Sequence, residues 1–123
     1  MIGYVTIGVS DIENAKNFYT ELFAAESAQV LMDAGRIAFI GKDRTAPMLA
    51  VCTPHNGDVC TSGNGGMLAF PAGDKDNVQV MYDKAISLGA TDEGEPGERV
   101  PDFFYGAYVR DPDGNKLCFY VMG

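Results

Sequence analysis

Tyr105-Gly-Ala-Tyr-Val-Arg110-Asp-Pro-Asp-Gly114-Asn-Lys-Leu-Cys-Phe-Tyr120 reads as two short strands joined by a tight turn. Tyr105 to Val109 and Lys116 to Val121 are rich in aromatic and β-branched residues, which suit a pleated, half-buried surface. Between them, Asp111-Pro112-Asp113-Gly114 carries the chemistry of a type I turn. The aspartate accepts a hydrogen bond from the backbone ahead, proline presets φ at the second position, and glycine closes the turn. Arg110, beside Asp111 and Asp113, is expected to form an ion pair within the hairpin.

Working outward, the chain shows two similar halves. Gly3 to Val9 reads as a strand, and Ser10-Asp-Ile-Glu13 as a capping box that opens a helix running to about Ala25. Ile12, Ala15, Phe18, Tyr19, Leu22 and Phe23 recur at three- and four-residue steps, which makes one buried stripe. Strands are expected at Ser27 to Met32, Arg36 to Gly41 and Met48 to Thr53. The polar, glycine-rich stretch from Thr53 to Gly65 then reads as a linker.

The second half begins with a strand at Gly66 to Phe70 and a helix capped by Asp74. That helix carries Val78, Met81, Tyr82, Ala85 and Ile86 on one face and ends at Gly89. A weak strand follows at Ala90 to Asp92, and Asp92-Glu-Gly-Glu-Pro-Gly-Glu98 reads as a solvated acidic loop. Offsetting the first half by 63 residues sets Tyr4 on Met67, Asp11 on Asp74 and Tyr19 on Tyr82. Repetition of this kind signals two copies of one supersecondary unit. The expected fold is α+β, with two tandem βαβββ modules: about 1–53, a linker at about 54–65, and about 66–123.

The string aromatic-Gly-Ala-aromatic-Val-Arg-Asp-Pro-Asp-Gly-Asn-Lys-Leu resembles the last hairpin of the glyoxalase/bleomycin resistance/dioxygenase proteins, the vicinal oxygen chelate superfamily. The resemblance implies that each module curls its sheet into a half-barrel and that ligands bind on the concave face. In metal-using members, four His, Glu or Gln ligands stand on the first and last strands of the modules. By that resemblance the corresponding places here are Tyr4, Ala50, Met67 and Cys118. Alanine has no donor, and methionine sulfur favours soft metals. One thiolate does not make a zinc site, which takes three or four protein ligands. No metal and no other cofactor is therefore expected. If alternation along the strands holds, the cavity is lined by Tyr4, Thr6, Ala50, Cys52, Met67, Ala69, Cys118 and Tyr120, an amphipathic set suited to a small organic molecule. The competing reading is that these side chains pack together as core.

Other chemistry is sparse. The single histidine, His55, falls in the turn Pro54-His-Asn-Gly57, and no Ser-His-Asp set or glycine-rich phosphate loop is present. Arg36 and Arg110 have the geometry to hold a carboxylate bidentately. Cys52, Cys60 and Cys118 lack metal or redox spacing; Cys60 is expected to be exposed. At 123 residues and net charge −8, with scattered Lys and Arg, the chain offers no basic stripe for nucleic acid. No apolar run approaches a membrane span, nor does the start resemble a signal peptide, so a cytoplasmic location is expected. The edge strands of half-barrels predict a homodimer.

Three functions follow from these readings: a metal-free binding protein holding a small molecule in the concave cavity, a metal-dependent lyase, isomerase or dioxygenase, and a degenerate structural or interaction module.

Overall fold

Asp11 and Asp74 start the two helices. Each holds extended backbone, and their carboxylates accept hydrogen bonds from the amides of Asn14 at 3.0 Å and Asn77 at 2.7 Å. A helix leaves its first amides unpaired, and a side-chain oxygen at the cap satisfies one of them. The computed structural model, which describes residues Met1–Gly123, thereby corrects the expected capping box. The cap is Asp11 and not Ser10, and its negative charge also suits the positive end of the helix dipole.

The chain divides into two compact units, Met1–Thr61 and Ser62–Gly123. The first contains β1 (Tyr4–Gly8), α1 (Ile12–Leu22), a 3-10 turn (Ala24–Glu26), β2 (Gln29–Asp33), β3 (Ile37–Gly41) and β4 (Met48–Cys52). Its sheet runs in the order β1-β4-β3-β2, with β1 parallel to β4 and the other pairs antiparallel. The helix ends three residues before Ala25 because Ala24 to Glu26 tighten into the 3-10 turn and Ser27 turns left-handed at φ 63°. Ala15, Phe18, Tyr19 and Leu22 of α1 cover Ala38, Ile40, Leu49 and Val51 of the sheet, all of them buried. Burying an aliphatic or aromatic side chain of this size contributes about 1.5–3 kcal/mol, so this layer holds the unit together.

The second unit repeats the plan with β5 (Leu68–Pro71), α2 (Lys75–Ser87), β6 (Thr91–Val100), β7 (Phe104–Arg110) and β8 (Lys116–Met122). Its order is β5-β8-β7-β6, again with the first and last strands parallel. Val78, Met81 and Ala85 of α2 pack on the buried face of Ala107, Val109, Leu117 and Phe119, whereas Ile86 is exposed. The fold is thus α+β with two βαβββ copies. No helix is long and apolar enough to cross a membrane.

The acidic stretch Asp92 to Glu98 is not a loop: it is the middle of the ten-residue strand β6. Gly94, Pro96 and Gly97 hide its alternation, and its pairing with β7 slips at three places, Asp92/Gly94, Gly94/Gly97 and Glu98/Val100. Bulges and a proline are tolerated there because β6 is an edge strand, with one side free of ladder partners.

The β7–β8 turn is built around a carboxylate. Gly114 donates its amide to the carbonyl of Asp111 at 2.9 Å and takes φ 90°, which glycine adopts without strain. Asp111 is buried, and its Oδ1 accepts from the amides of Asp113 at 2.9 Å and Asn115 at 2.8 Å. Its Oδ2 accepts from the Asn115 side chain at 3.0 Å. With that carboxylate engaged by the turn, Arg110 pairs with Glu93 across the sheet at 3.0 Å, not with Asp111 or Asp113 as expected. Asp111→Ala would strand several donors at a buried site, each costing about 1–3 kcal/mol. The mutant should lose at least about 2 kcal/mol in urea unfolding; a loss under about 0.5 kcal/mol would show that the turn forms without the carboxylate.

Candidate functional site

Each sheet has one face under its helix and one turned away from it, called here the far face. In the first unit, Tyr4 lies opposite Met48, Thr6 opposite Ala50, and Gly8 opposite Cys52, while Ala50 also lies opposite Phe39. Strand alternation therefore gathers Tyr4, Thr6, Ala50, Cys52, Met48 and Phe39 on the far face. Tyr4 meets Phe39 edge-to-face with centroids 4.8 Å apart, and its side chain is 52% exposed. Thr6 is exposed and Cys52 half-buried, with its thiol 3.6 Å from the Ile7 carbonyl. Ala50 presents no surface and serves as floor.

In the second unit, Ala69 lies opposite Cys118, Cys118 opposite Tyr108, and Tyr120 opposite Gly106. Ala69, Cys118 and Tyr120 therefore share that sheet's far face, together with Phe104 and Tyr108. Tyr120 stacks on Phe104 with centroids 5.5 Å apart and planes 8° from parallel. Met67 stands one residue before β5, not inside it, and is 44% exposed. His55 is exposed in the turn Pro54–Gly57, and Cys60 is half-buried, not exposed as expected. Arg36 donates to the Thr53 carbonyl at 2.7 Å.

Three residues that matter here were not singled out by the sequence reading. The Arg99 guanidinium and the Lys116 ammonium lie 5.3 Å and 5.2 Å from the centre of the Tyr108 ring, within cation–π range. Alternation back from the β7–β8 turn was a signal for Tyr108 and Lys116, because Arg110 opposite Lys116 fixes Tyr108 opposite Cys118. No such signal existed for Arg99, which follows the slips of β6.

The electrostatics of this face centre on Cys118, which is fully buried. Burial pushes its thiol up to about 11, against the opposing pull of the Tyr108 hydrogen bond and of the Arg99 and Lys116 charges. Burial also raises the Tyr108 phenol, helped by Cys118 and countered by Arg99. On the helix side, Tyr82 donates to Asp92 at 3.0 Å, and burial followed by that bond pushes it up to about 12. Both far-face groups thus stay neutral and protonated near pH 7, so neither serves as a general base there.

Tyr4, Ala50, Met67 and Cys118, the four candidate ligand positions expected from the sequence, do not suit a metal ion. Ala50 has no donor atom, Cys118 holds its proton, and Tyr4 and Met67 offer a phenol and a thioether, poor partners for a hard or borderline dication. In neither unit do three His, Cys, Asp or Glu side chains gather to hold one.

The chain matches the profile of the Glyoxalase/Bleomycin resistance protein/Dioxygenase superfamily over residues 1–119. Among solved structures, a glyoxalase/bleomycin resistance protein from Albidiferax ferrireducens is 35% identical, with a TM-score of 0.85 over 98% of this chain and 97% of that one. An enzyme of the glyoxalase/bleomycin resistance protein/dioxygenase family from Burkholderia phytofirmans is 22% identical, with a TM-score of 0.79 over 96% and 95%. A lactoylglutathione lyase from Agrobacterium tumefaciens is also 22% identical, with a TM-score of 0.72 over 98% and 92%. The last two show likeness of fold alone. No curated protein sequence matches the chain.

The buried thiol makes a prediction about reactivity and alkaline stability. In the folded protein at pH 8, iodoacetamide should modify Cys52 and Cys60 and spare Cys118, which reacts only after unfolding. An acid whose folded pKa is raised binds its proton more tightly folded than unfolded, so its stabilisation is present at low pH and lost as pH rises. Unfolding free energy should therefore fall from about pH 9 towards the raised values near 11 for Cys118 and 12 for Tyr82. Peptide mapping of the alkylated protein that found Cys118 labelled as fast as Cys60 would refute the buried, protonated thiol.

Proposed function

The chain belongs to the glyoxalase/bleomycin resistance protein/dioxygenase superfamily, and from that premise we propose that it binds a small organic molecule on its far faces without using a metal ion. The observation that carries this reading is the donor set: Tyr4, Ala50, Met67 and Cys118, the positions that the family resemblance makes candidates for metal ligands, supply no His, Glu or Gln. What the far faces offer instead is an apolar floor at Ala50, the aromatic rings of Tyr4, Phe39, Phe104, Tyr108 and Tyr120, and the hydroxyls of Thr6 and the tyrosines. That combination binds organic ligands through burial and dispersion, with the polar atoms fixing orientation. The exposed thioether of Met67 adds an adaptable contact beside the second sheet.

The enzymatic alternative needs a metal held by other residues. Cys60, a further candidate donor, lies against the backbone of Gly8, where a Cβ would come within 2.9 Å of the Cys60 Cβ. It thus fills that space and shares it with no second ligand that gathers into a cluster. Pairing into homodimers is proposed through the outer edge of β2, which bonds to no further strand and exposes Val30 and Met32. The opposite number in the second sheet, β6, is blunted by its acidic residues and bulges.

Protein purified without chelator should carry no stoichiometric zinc, iron, manganese or nickel, and EDTA should leave its melting temperature unchanged. Elemental analysis finding about one metal per chain, with destabilisation on chelation, would favour the enzyme. A library of small aromatic fragments, followed by ligand-observed NMR, should yield hits that Met67→Trp removes. Because Met67 is half-exposed, the replacement should shift the melting temperature by less than about 4 °C, the change expected for roughly 1 kcal/mol in a domain of this size. Absence of any hit on the wild-type protein would leave the structural reading in its place. Sedimentation should show a dimer, with Met32→Lys shifting it towards monomer; a wild-type monomer throughout would remove the β2 pairing.

A further inference from the structure

The second unit's far face carries charge that the first unit's lacks. In a chain of net charge −8, two of the nine Lys and Arg side chains form ion pairs. Lys16 bonds to Glu13 and Asp33, each at 2.6 Å, and Arg110 pairs with Glu93 at 3.0 Å. Arg99 and Lys116 have no carboxylate within ion-pair distance; both are set beside Tyr108 instead. Both charges lie within 5.3 Å of the same ring centre, so an anion placed beside that ring is attracted by both.

Arg99 is also held in place. Its Nη2 donates to the Glu95 carbonyl at 2.5 Å. Its guanidinium lies against bare backbone: a Cβ at Gly97 would stand 2.8 Å from Nη1, and one at Gly94 3.2 Å from Nη2 and 2.9 Å from the Tyr108 ring. Two glycines thus leave the room in which the guanidinium and the tyrosine lie side by side. A guanidinium carries five N–H donors in a planar fork that matches a carboxylate, and the bonds to the Glu95 carbonyl and the Tyr108 hydroxyl leave others for a ligand. Next to this charged end, the Phe104–Tyr120 stack and Ala69 continue the same face with apolar surface.

We propose that the far face of the second sheet recognises a small organic carboxylate, its anion held by Arg99 and Lys116 and its apolar body laid along Tyr108, Tyr120 and Phe104. This rests on the reading of the far faces as a ligand-binding surface and adds the sign of the ligand's charge. The carboxylate replaces water at the two cations and is attracted by both, while the aromatic stack takes up the body of the ligand. A cationic ligand meets repulsion at the same place, although the net charge of the whole chain would attract it.

Benzoate, benzamide and benzylammonium share one ring and differ in charge, so they separate the two ideas. Titrations of the full chain followed by protein NMR should show benzoate perturbing the amides around Arg99, Tyr108 and Lys116, with an affinity at least tenfold above those of the other two. Arg99→Gln should lower benzoate affinity about tenfold or more and leave benzamide unchanged, and Arg99→Lys should recover part of the loss. Lys116→Gln should weaken benzoate less, and added salt should weaken it throughout. Melting temperatures of the variants should stay near that of the wild type, because both side chains sit at the surface of the sheet.

Equal binding of the three probes, or benzoate binding indifferent to Arg99→Gln, would overturn the carboxylate proposal and leave the binding function standing. Binding of none of the three would overturn both.

Discussion

The hydrogen-bonded carboxylate of Asp111 is the constraint on which the second unit depends. It gathers the amides of Asp113 and Asn115 and the Asn115 side chain, and it does so away from water. With the turn closed, Arg110 must face Lys116, and every pair down to Phe104 opposite Met122 follows. A slip of one residue would exchange Val109, Ala107, Leu117 and Phe119, which lie under α2, for Tyr108, Cys118 and Tyr120. Local turn chemistry thus decides which side chains form core and which form the far face.

The same logic explains how much of the fold was legible beforehand. Alternation, helical stripes and the 63-residue offset between Asp11 and Asp74 are short-range patterns, and each produced an element of the right kind in the right order. The errors cluster where two local solutions compete. Ser10 and Asp11 are both good caps, and it is Asp11 that holds extended backbone and accepts from the Asn14 amide. Asp111 could serve either Arg110 or its own turn; burial of the carboxylate among backbone amides settled that in favour of the turn. β6 was unreadable for another reason. Its alternation is interrupted by bulges and glycines, and an acidic Gly-Pro-Gly segment has the composition of a loop even when a neighbouring strand holds it in a sheet.

The candidate site was legible in the strands whose register the sequence sets. Thr6 opposite Ala50 and Ala69 opposite Cys118 follow from the parallel pairing of first and last strands, and the far-face grouping follows from alternation. Exposure did not follow. Ala50 and Cys118 have no surface while Tyr4 and Met67 have a great deal, because a small side chain between larger ones is roofed by them and a terminal position is not. Arg99 lay beyond sequence reasoning altogether, since its direction is decided by slips in pairing that no periodicity announces.

The two halves keep one backbone plan and diverge in what they present. On the first far face, Tyr4, Phe39, Met48 and Cys52 offer aromatic and sulfur-bearing surface with no cation among them. On the second, the same strand positions carry Lys116 and Tyr108, and Arg99 swings in over glycines that the first sheet has no counterpart for. The divergence touches neither the helix caps nor the layers under α1 and α2, which is where the stability of each copy resides. A duplicated frame of this kind separates the residues that hold the fold from those that the far faces present. The second set can then change its charge without disturbing the first. The thiol at position 118 shows what that freedom leaves in place: buried and protonated, it adds packing where a carboxylate would have added charge, and Arg99 and Lys116 lie beside Tyr108 without an ion-pair partner.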